Sequence, residues 1–207
     1  MKRLENKVVL IAGGTTGGRL GHGSIMRQIK PGDIVEPCVL ESVQGDAVQI
    51  PPPAQIIIHL QFRRFAGCPI CNLHLQSYIR RHRELAENQI QEVAVFHSPK
   101  SAMLEHQLGA PFSFVADPDK EPYKAFGVEA SIMSVLNPKA WPSAIKGLLQ
   151  QGPGFPSHGE SALGLPAEFL IDSTGMVITV HYGKHASDQL EFDELLELVR
   201  KAQQPTP

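Results

Sequence analysis

What the sequence lacks excludes several functions before any motif is read. No run approaches the roughly 18 apolar residues that cross a bilayer, so no membrane span is expected. The opening "MKRLENKVVLIAGG" has five apolar residues in a row before its glycines. A secretory signal needs about 7–15 of them, and the expected setting is the cytoplasm. The net charge is −2, and the densest basic cluster is "YIRRHR" at 78–83. A nucleic-acid partner needs a positive stripe; none is expected here, and these arginines read as the solvated face of a helix. Three cysteines in 207 residues, an odd number, do not make a disulfide framework. In a reducing compartment a close pair points instead to catalysis or metal binding.

What is present is an ordinary folded composition, 42% hydrophobic and 19% charged, enough for one domain with a full core plus an extension. The front stretch "KVVLIAGGTTGG" (7–18) resembles the opening of short-chain dehydrogenases, whose glycine turn holds a dinucleotide. The likeness ends there. Ala12 stands where that family has threonine and Arg19 where it has its last glycine, and no Tyr-x-x-x-Lys pair follows. Residues 1–28 therefore read as a glycine-rich extension, without a cofactor.

From about residue 29 the pattern is coherent. A hairpin turns at Gly45-Asp46, and "PPPAQ" (51–55) is a stiff connector. "IIIHLQF" (56–62) reads as a strand buried on both faces. A helix is predicted over 69–88, a strand over 92–97, a helix over 99–109, a strand over 112–118 and a short helix over 119–128. Residues 131–164 form a Pro/Gly-rich insertion around "AWPSAIKGLLQQ", with Trp141 either walling a groove or capping the sheet. "AEFLID" (167–172), the turn Ser173-Thr174-Gly175 and "MVITVHY" (176–182) make a second hairpin. A last helix is expected to start near Ser187-Asp188, with Phe192, Leu195, Leu196 and Val199 on one face. This order predicts an α/β fold, a central mixed sheet with helices on both faces. The expected domain is 29–203, with the insertion inside it and 204–207 as a tail.

The chemistry concentrates in "RRFAGCPICNLHL" (63–75), at the carboxyl end of the buried strand, where open α/β sheets present reactive groups. Pro69 suits the first turn of a helix, which makes Cys68 the N-cap. There the free amides and the helix dipole favour thiolate. Strand alternation lets one of Arg63 and Arg64 add positive potential. Cys71 shares a helical face with Leu75, Tyr78, Ile79 and His82 and should look inward. An exposed thiolate beside a shielded partner is what a dithiol cycle needs. Two other readings stay open: an inert packed pair, and a zinc site using Cys68, Cys71 and His74, although no second Cys-x-x-Cys exists. Cys38 reads as a packed thiol or a distant resolving one, and His59 as a hydrogen-bonded core histidine. His97 reads as a loop histidine able to tune a thiolate.

"CPIC" after a buried strand, with "GLPAEFLIDSTGMV" about a hundred residues later, resembles a thioredoxin-fold protein. In that fold a proline, usually cis, precedes the strand and faces the dithiol, and Pro166 takes this place. The layout of 29–203 is more similar still to the peroxiredoxin-like branch of the alkyl hydroperoxide reductase/thiol-specific antioxidant superfamily. "IKPGDIVEPCVL", "FRRFAGCPIC" and "FLIDSTGMVITVHYGKHASD" carry that likeness. It implies a thioredoxin-like three-layer sandwich and a cofactor-free, metal-free thiol oxidoreductase. Cys68 and Cys71 are then the catalytic pair and Pro166 a substrate-side residue. A peroxide or disulfide is the substrate, a thioredoxin- or glutathione-type protein the electron donor, and a homodimer is compatible. Two departures stand out: Cys68 replaces the family's threonine, with Cys71 at its peroxidatic position, and no arginine precedes "FLID". A disulfide reductase and a non-catalytic interaction protein on the same fold are the alternatives.

Overall fold

The computed structural model describes residues 28–106, 109–128 and 164–204, together with Lys7–Val8 and single positions between 142 and 149. The rest of the glycine-rich extension, Trp141 and nearly all of the 131–164 insertion lie outside the described residues. Lys7–Val8 (β1) pairs in parallel with Ile34–Val35 (β2). Cys38–Glu41 (β3) and Ala47–Ile50 (β4) form the first hairpin, turning where Gly45 takes a positive φ.

The central sheet follows from the apolar runs. Ile57–Phe62 (β5) is buried along its whole length, and Ile90–Phe96 (β6) and Ser113–Ala116 (β7) follow in parallel to one side. Ala167–Ile171 (β8) runs antiparallel to β5 on the other side, and Val177–Tyr182 (β9) closes that edge. The order is β7-β6-β5-β8-β9. Pro69–Arg80 (α1), His82–Glu87 (α2), Lys100–His106 (α3), Glu121–Ala125 (α4) and Phe192–Gln203 (α5) complete the described elements.

Alternation along β5 splits the core in two. Ile58, Leu60 and Phe62 face one side with Val93, Val95 and Phe169, covered by Tyr123 of α4 and Phe126. Ile57 and Leu170 face the other, under Tyr78 of α1 and Phe192, Leu195 and Leu196 of α5. Met103 of α3 joins that side through Phe96 and Phe114. Helices therefore cover both faces of a mixed sheet, as the element order predicts, and the arrangement is the thioredoxin-like sandwich that the resemblance implies.

The expected helix over 69–88 is two helices. Arg81 leaves helical geometry at φ −109°, ψ 18°. Its guanidinium reaches Glu84 and Asp193, each at 2.7 Å, and lies 4.0 Å over the Phe192 ring. A tertiary contact, invisible in local propensity, breaks the helix there. The last helix starts at Phe192, not near 187. Asp188 is used elsewhere, accepting from the Lys184 N–H at 2.8 Å and meeting His181 Nε2 at 3.1 Å. Its expected apolar face, Phe192, Leu195, Leu196 and Val199, is buried as read. At the second hairpin Gly175 has φ +85°, and an added Cβ would sit 2.8 Å from the Val35 carbonyl oxygen, so this turn requires glycine.

Phe62 is the hinge between core and site, its ring 4.9 Å from Tyr123, 5.1 Å from Phe126 and 5.7 Å from Phe169. Phe62→Ala should cost about 3–5 kcal/mol in denaturant unfolding. Val39→Ala, at a half-exposed site on β3, should change stability by less than about 0.5 kcal/mol.

Candidate active site

Immediately after β5 the chain turns through residues 63–68, pinned to the end of β6. The Arg63 N–H donates to the Val95 carbonyl at 2.8 Å, and the Ala66 N–H to Ser98 Oγ at 2.8 Å. A tight turn, Cys68 N–H to Phe65 carbonyl at 3.0 Å, then starts α1. Cys68 is its N-cap with extended dihedrals, Pro69 enters the first turn, and no acidic side chain sits there. The Cys71 N–H points at Cys68 Sγ, 3.4 Å away. The two sulfurs lie 2.7 Å apart and share one hydrogen bond.

The expected exposure of Cys68 is wrong. Cys68 is 0% and Cys71 1% exposed, because Phe65, Ile70 and Ala186 close over them. Ala186 arrives from more than a hundred residues away, a contact that helix position alone does not announce. The electrostatic order is also the reverse of the one expected, through the hydrogen bond between the sulfurs and the Arg63 charge on Cys71. Burial pushes the Cys68 thiol well up, and the neighbouring Cys71 adds to this, against the pull of Arg64 and the Cys71 N–H. Burial also acts on Cys71, but the Cys68 hydrogen bond, the Arg64 and Arg63 charges and the Arg64 backbone N–H bring it down to about 6. Of the two, Cys71 is the sulfur whose surroundings favour the thiolate.

Both arginines contribute, contrary to strict alternation, because β5 has ended at Phe62 and the loop is free to turn each its own way. Arg64 directs Nη1 toward Cys68 Sγ at 3.7 Å. Arg63, entirely buried, passes under α1, with Nη2 donating to His74 Nδ1 at 3.0 Å and lying 3.4 Å from Glu168 Oε1. His74 therefore has no nitrogen to give a metal. Its Nδ1 accepts from Arg63 and its Nε2 donates to the Leu190 carbonyl at 2.8 Å. Burial and the Arg63 charge push it down to about 3, so it is neutral. The zinc alternative loses its third ligand, and no cluster of three metal-ligating side chains occurs among the described residues.

Cys38 packs in the opposite face of the core, its thiol pushed up to about 11 by burial. His97 is buried at the end of β6, its ring 5.8 Å from Tyr123 and its N–H on the Arg64 carbonyl at 3.4 Å. Pro166 is buried just before β8, where pairing of Ala167 with Phe62 sets it at the level of the active loop. Among the described residues the cis peptide is Ile50–Pro51, so the bond before Pro166 is trans, against the thioredoxin-fold expectation. At Gly183 an added Cβ would sit 2.5 Å from the Asp188 carbonyl oxygen and 2.6 Å from Pro166 Cγ. The backbones meet there directly, the Gly183 N–H donating to the Pro166 carbonyl at 2.9 Å.

The sequence reading anticipated His59 as a hydrogen-bonded histidine but missed the company it keeps. His59 Nδ1 lies 2.8 Å from Glu92 Oε2 and its Nε2 3.5 Å from Glu168 Oε2, and Gln61 donates to Glu92. The signal was present: His59, Gln61, Glu92 and Glu168 interrupt apolar strands at positions that share one face. Burial lowers His59, but the two glutamates raise it to about 9. Glu168, despite its burial, is held at about 2 by Arg63 and His59.

No family model and no curated protein sequence matches the chain. Solved structures do. Peroxidoxin BcpB from Mycobacterium tuberculosis superposes with a TM-score of 0.61 at 16% identity, covering 86% of this chain and 100% of that one. Reduced 2-Cys peroxiredoxin from Plasmodium vivax gives 0.61 at 13%, covering 84% and 82%. Thiol peroxidase from Chromobacterium violaceum gives 0.55 at 16%, covering 87% and 91%. At these identities the likeness shows the fold, the thioredoxin-like arrangement seen in peroxiredoxin structures. No helix among the described residues is long and apolar enough to cross a membrane.

Two measurements probe the site. Titrated by ultraviolet thiolate absorbance, the reduced protein should show one thiolate with a midpoint near 6, with the other two thiols ionising far above it. A first thiolate appearing only above the ordinary thiol value of about 8.5 would contradict the assignment to Cys71. Raised from 6.5 to about 9, His59 contributes stability that is complete below 6.5 and is lost as pH rises through that window. The thermal midpoint should fall between those values in the native protein and fall less in His59→Gln.

Proposed function

We propose that the protein is a thiol-dependent peroxidase working through Cys71 and Cys68, without metal or organic cofactor. The observation that carries this reading is the buried pair, with sulfurs 2.7 Å apart and Cys71 the lowered thiol. A small peroxide can reach such a sulfur, whereas a protein disulfide cannot without movement of Phe65, Ile70 and Ala186.

In the first step the Cys71 thiolate attacks one peroxide oxygen and the O–O bond breaks. The departing oxygen takes a proton from solvent and leaves as alcohol or water, and Cys71 becomes a sulfenic acid. Arg64, beside the pair, offsets the negative charge that develops. Cys68 then attacks the Cys71 sulfur, its proton leaves with the hydroxyl as water, and a disulfide forms. Two electrons from a thioredoxin- or glutathione-type thiol donor restore the dithiol. Cys68 stands where peroxiredoxins carry threonine, and a resolving sulfur in that place needs no large rearrangement. Pro166 borders the path to Cys71. The acting unit is residues 29–203 in a cytoplasmic, reducing setting.

A thioredoxin-type disulfide reductase is the second reading, favoured by Cys68 at the N-cap with Pro69 behind it. One equivalent of peroxide should remove two hydrogens from the mass of the reduced protein and join Cys68 to Cys71 within one chain. Cys71→Ser should lose peroxide consumption to background. Cys68→Ser should complete one turnover and hold a dimedone-trappable sulfenic acid on Cys71. A sulfenic acid on Cys68 alone, with rapid insulin reduction, would move the assignment to the reductase. Silence in both assays would favour a non-catalytic interaction protein.

A further inference from the structure

Between the sheet and α1 lies a layer of ionisable side chains that the steps above do not use. Strand pairing builds it, setting His59 opposite Glu92 and Gln61 opposite Glu168. Arg63, one residue past β5, connects this layer to the helix that carries the dithiol. Its Nη2 lies 3.4 Å from Glu168 and 3.0 Å from His74, which is one turn on from Cys71. Its Nε and Nη1 have no acceptor among the described residues, so the layer leaves part of this guanidinium unused.

We propose that Glu168 is a positioning residue for the dithiol, acting through Arg63: it draws the guanidinium toward the sheet and so sets how much of its charge Cys71 receives. Glu168 is itself held from three sides. The Leu190 N–H donates to Oε2 at 3.1 Å, His59 Nε2 stands 3.5 Å from the same oxygen, and Arg63 meets Oε1. His59 is shared with Glu92, so each cation of the layer lies between two acceptors. From α1, neutral His74 and Tyr78 face the layer, and Tyr78 donates its hydroxyl to the Leu190 carbonyl at 2.9 Å. The guanidinium thus meets Glu168 directly and His74 one helical turn from Cys71, and its charge acts to lower both Glu168 and Cys71 against their burial.

The proposal rests on Cys71 as the low thiol, and its test reads charge, not turnover. Thiolate titration of reduced protein is compared across variants, with the glutathione redox equilibrium as a second readout. Arg63→Gln should raise the Cys71 midpoint by about 1 pH unit. Glu168→Gln, which keeps shape and removes charge, should lower it. The double variant should match Arg63→Gln. His59→Gln should raise the midpoint, because Glu168 then has Arg63 alone to pair with. Opposite signs from two substitutions in one layer cannot come from loosened packing. A Glu168→Gln shift that survives unchanged without Arg63 overturns the proposal, as does a midpoint unmoved while stability falls. If Glu168→Gln does not fold, His59→Gln decides, and an unchanged or lower midpoint there overturns it. A native midpoint in the ordinary thiol range removes the dithiol reading and this coupling together; a low native midpoint that no variant moves removes the coupling alone.

Discussion

Arg63 carries a full charge out of water, and the rest of the site is arranged around that fact. A buried guanidinium is tolerable only with opposite charge and acceptors close by, and removing a partner from such a pair typically costs about 3–5 kcal/mol. Glu168 supplies the charge and neutral His74 an acceptor. Glu168 in turn needs His59 and the Leu190 N–H, and His59 needs Glu92. Each requirement recruits a different element: β5, β6, β8, α1 and the segment before α5. The charge thus fixes how the active helix sits on the sheet as firmly as the apolar contacts of Tyr78 and Phe192 do.

This arrangement separates two tasks that a single thiol would have to combine. The Arg64 and Arg63 charges and the Cys68 hydrogen bond lower Cys71, while Cys68, 2.7 Å away, is pushed up. Capping of α1 contributes through the Cys71 N–H, which acts to lower the N-cap sulfur, yet that sulfur is the one pushed up. At Cys68 burial and the hydrogen bond between the sulfurs outweigh it.

Most of the fold was legible because strands buried on both faces write themselves as apolar runs and hairpins mark their turns with glycine. The strand at 56–62, both hairpins, Cys68 as N-cap and the apolar stripe of the last helix could all be read this way. Three of the misreadings share one cause, long-range contact. Asp193 and Phe192 break the helix at Arg81, β9 claims Asp188 and so delays the last helix, and Ala186 helps to bury the dithiol. The polar layer lay between these extremes. Its members are plain in the strands, and their common face follows from counting by twos, but their mutual pairing depends on which strands are neighbours.

Leu190 shows what no residue pattern could have disclosed. Its carbonyl receives both His74 and Tyr78, and its N–H serves Glu168, so three side chains are oriented by the backbone of one residue. A position that works through its backbone leaves no signature in residue identity. Over evolutionary drift, many apolar residues could stand at 190 with the layer intact, whereas proline, lacking the N–H, could not. A residue on which three side chains depend would then look, from its identity alone, like a permissive position.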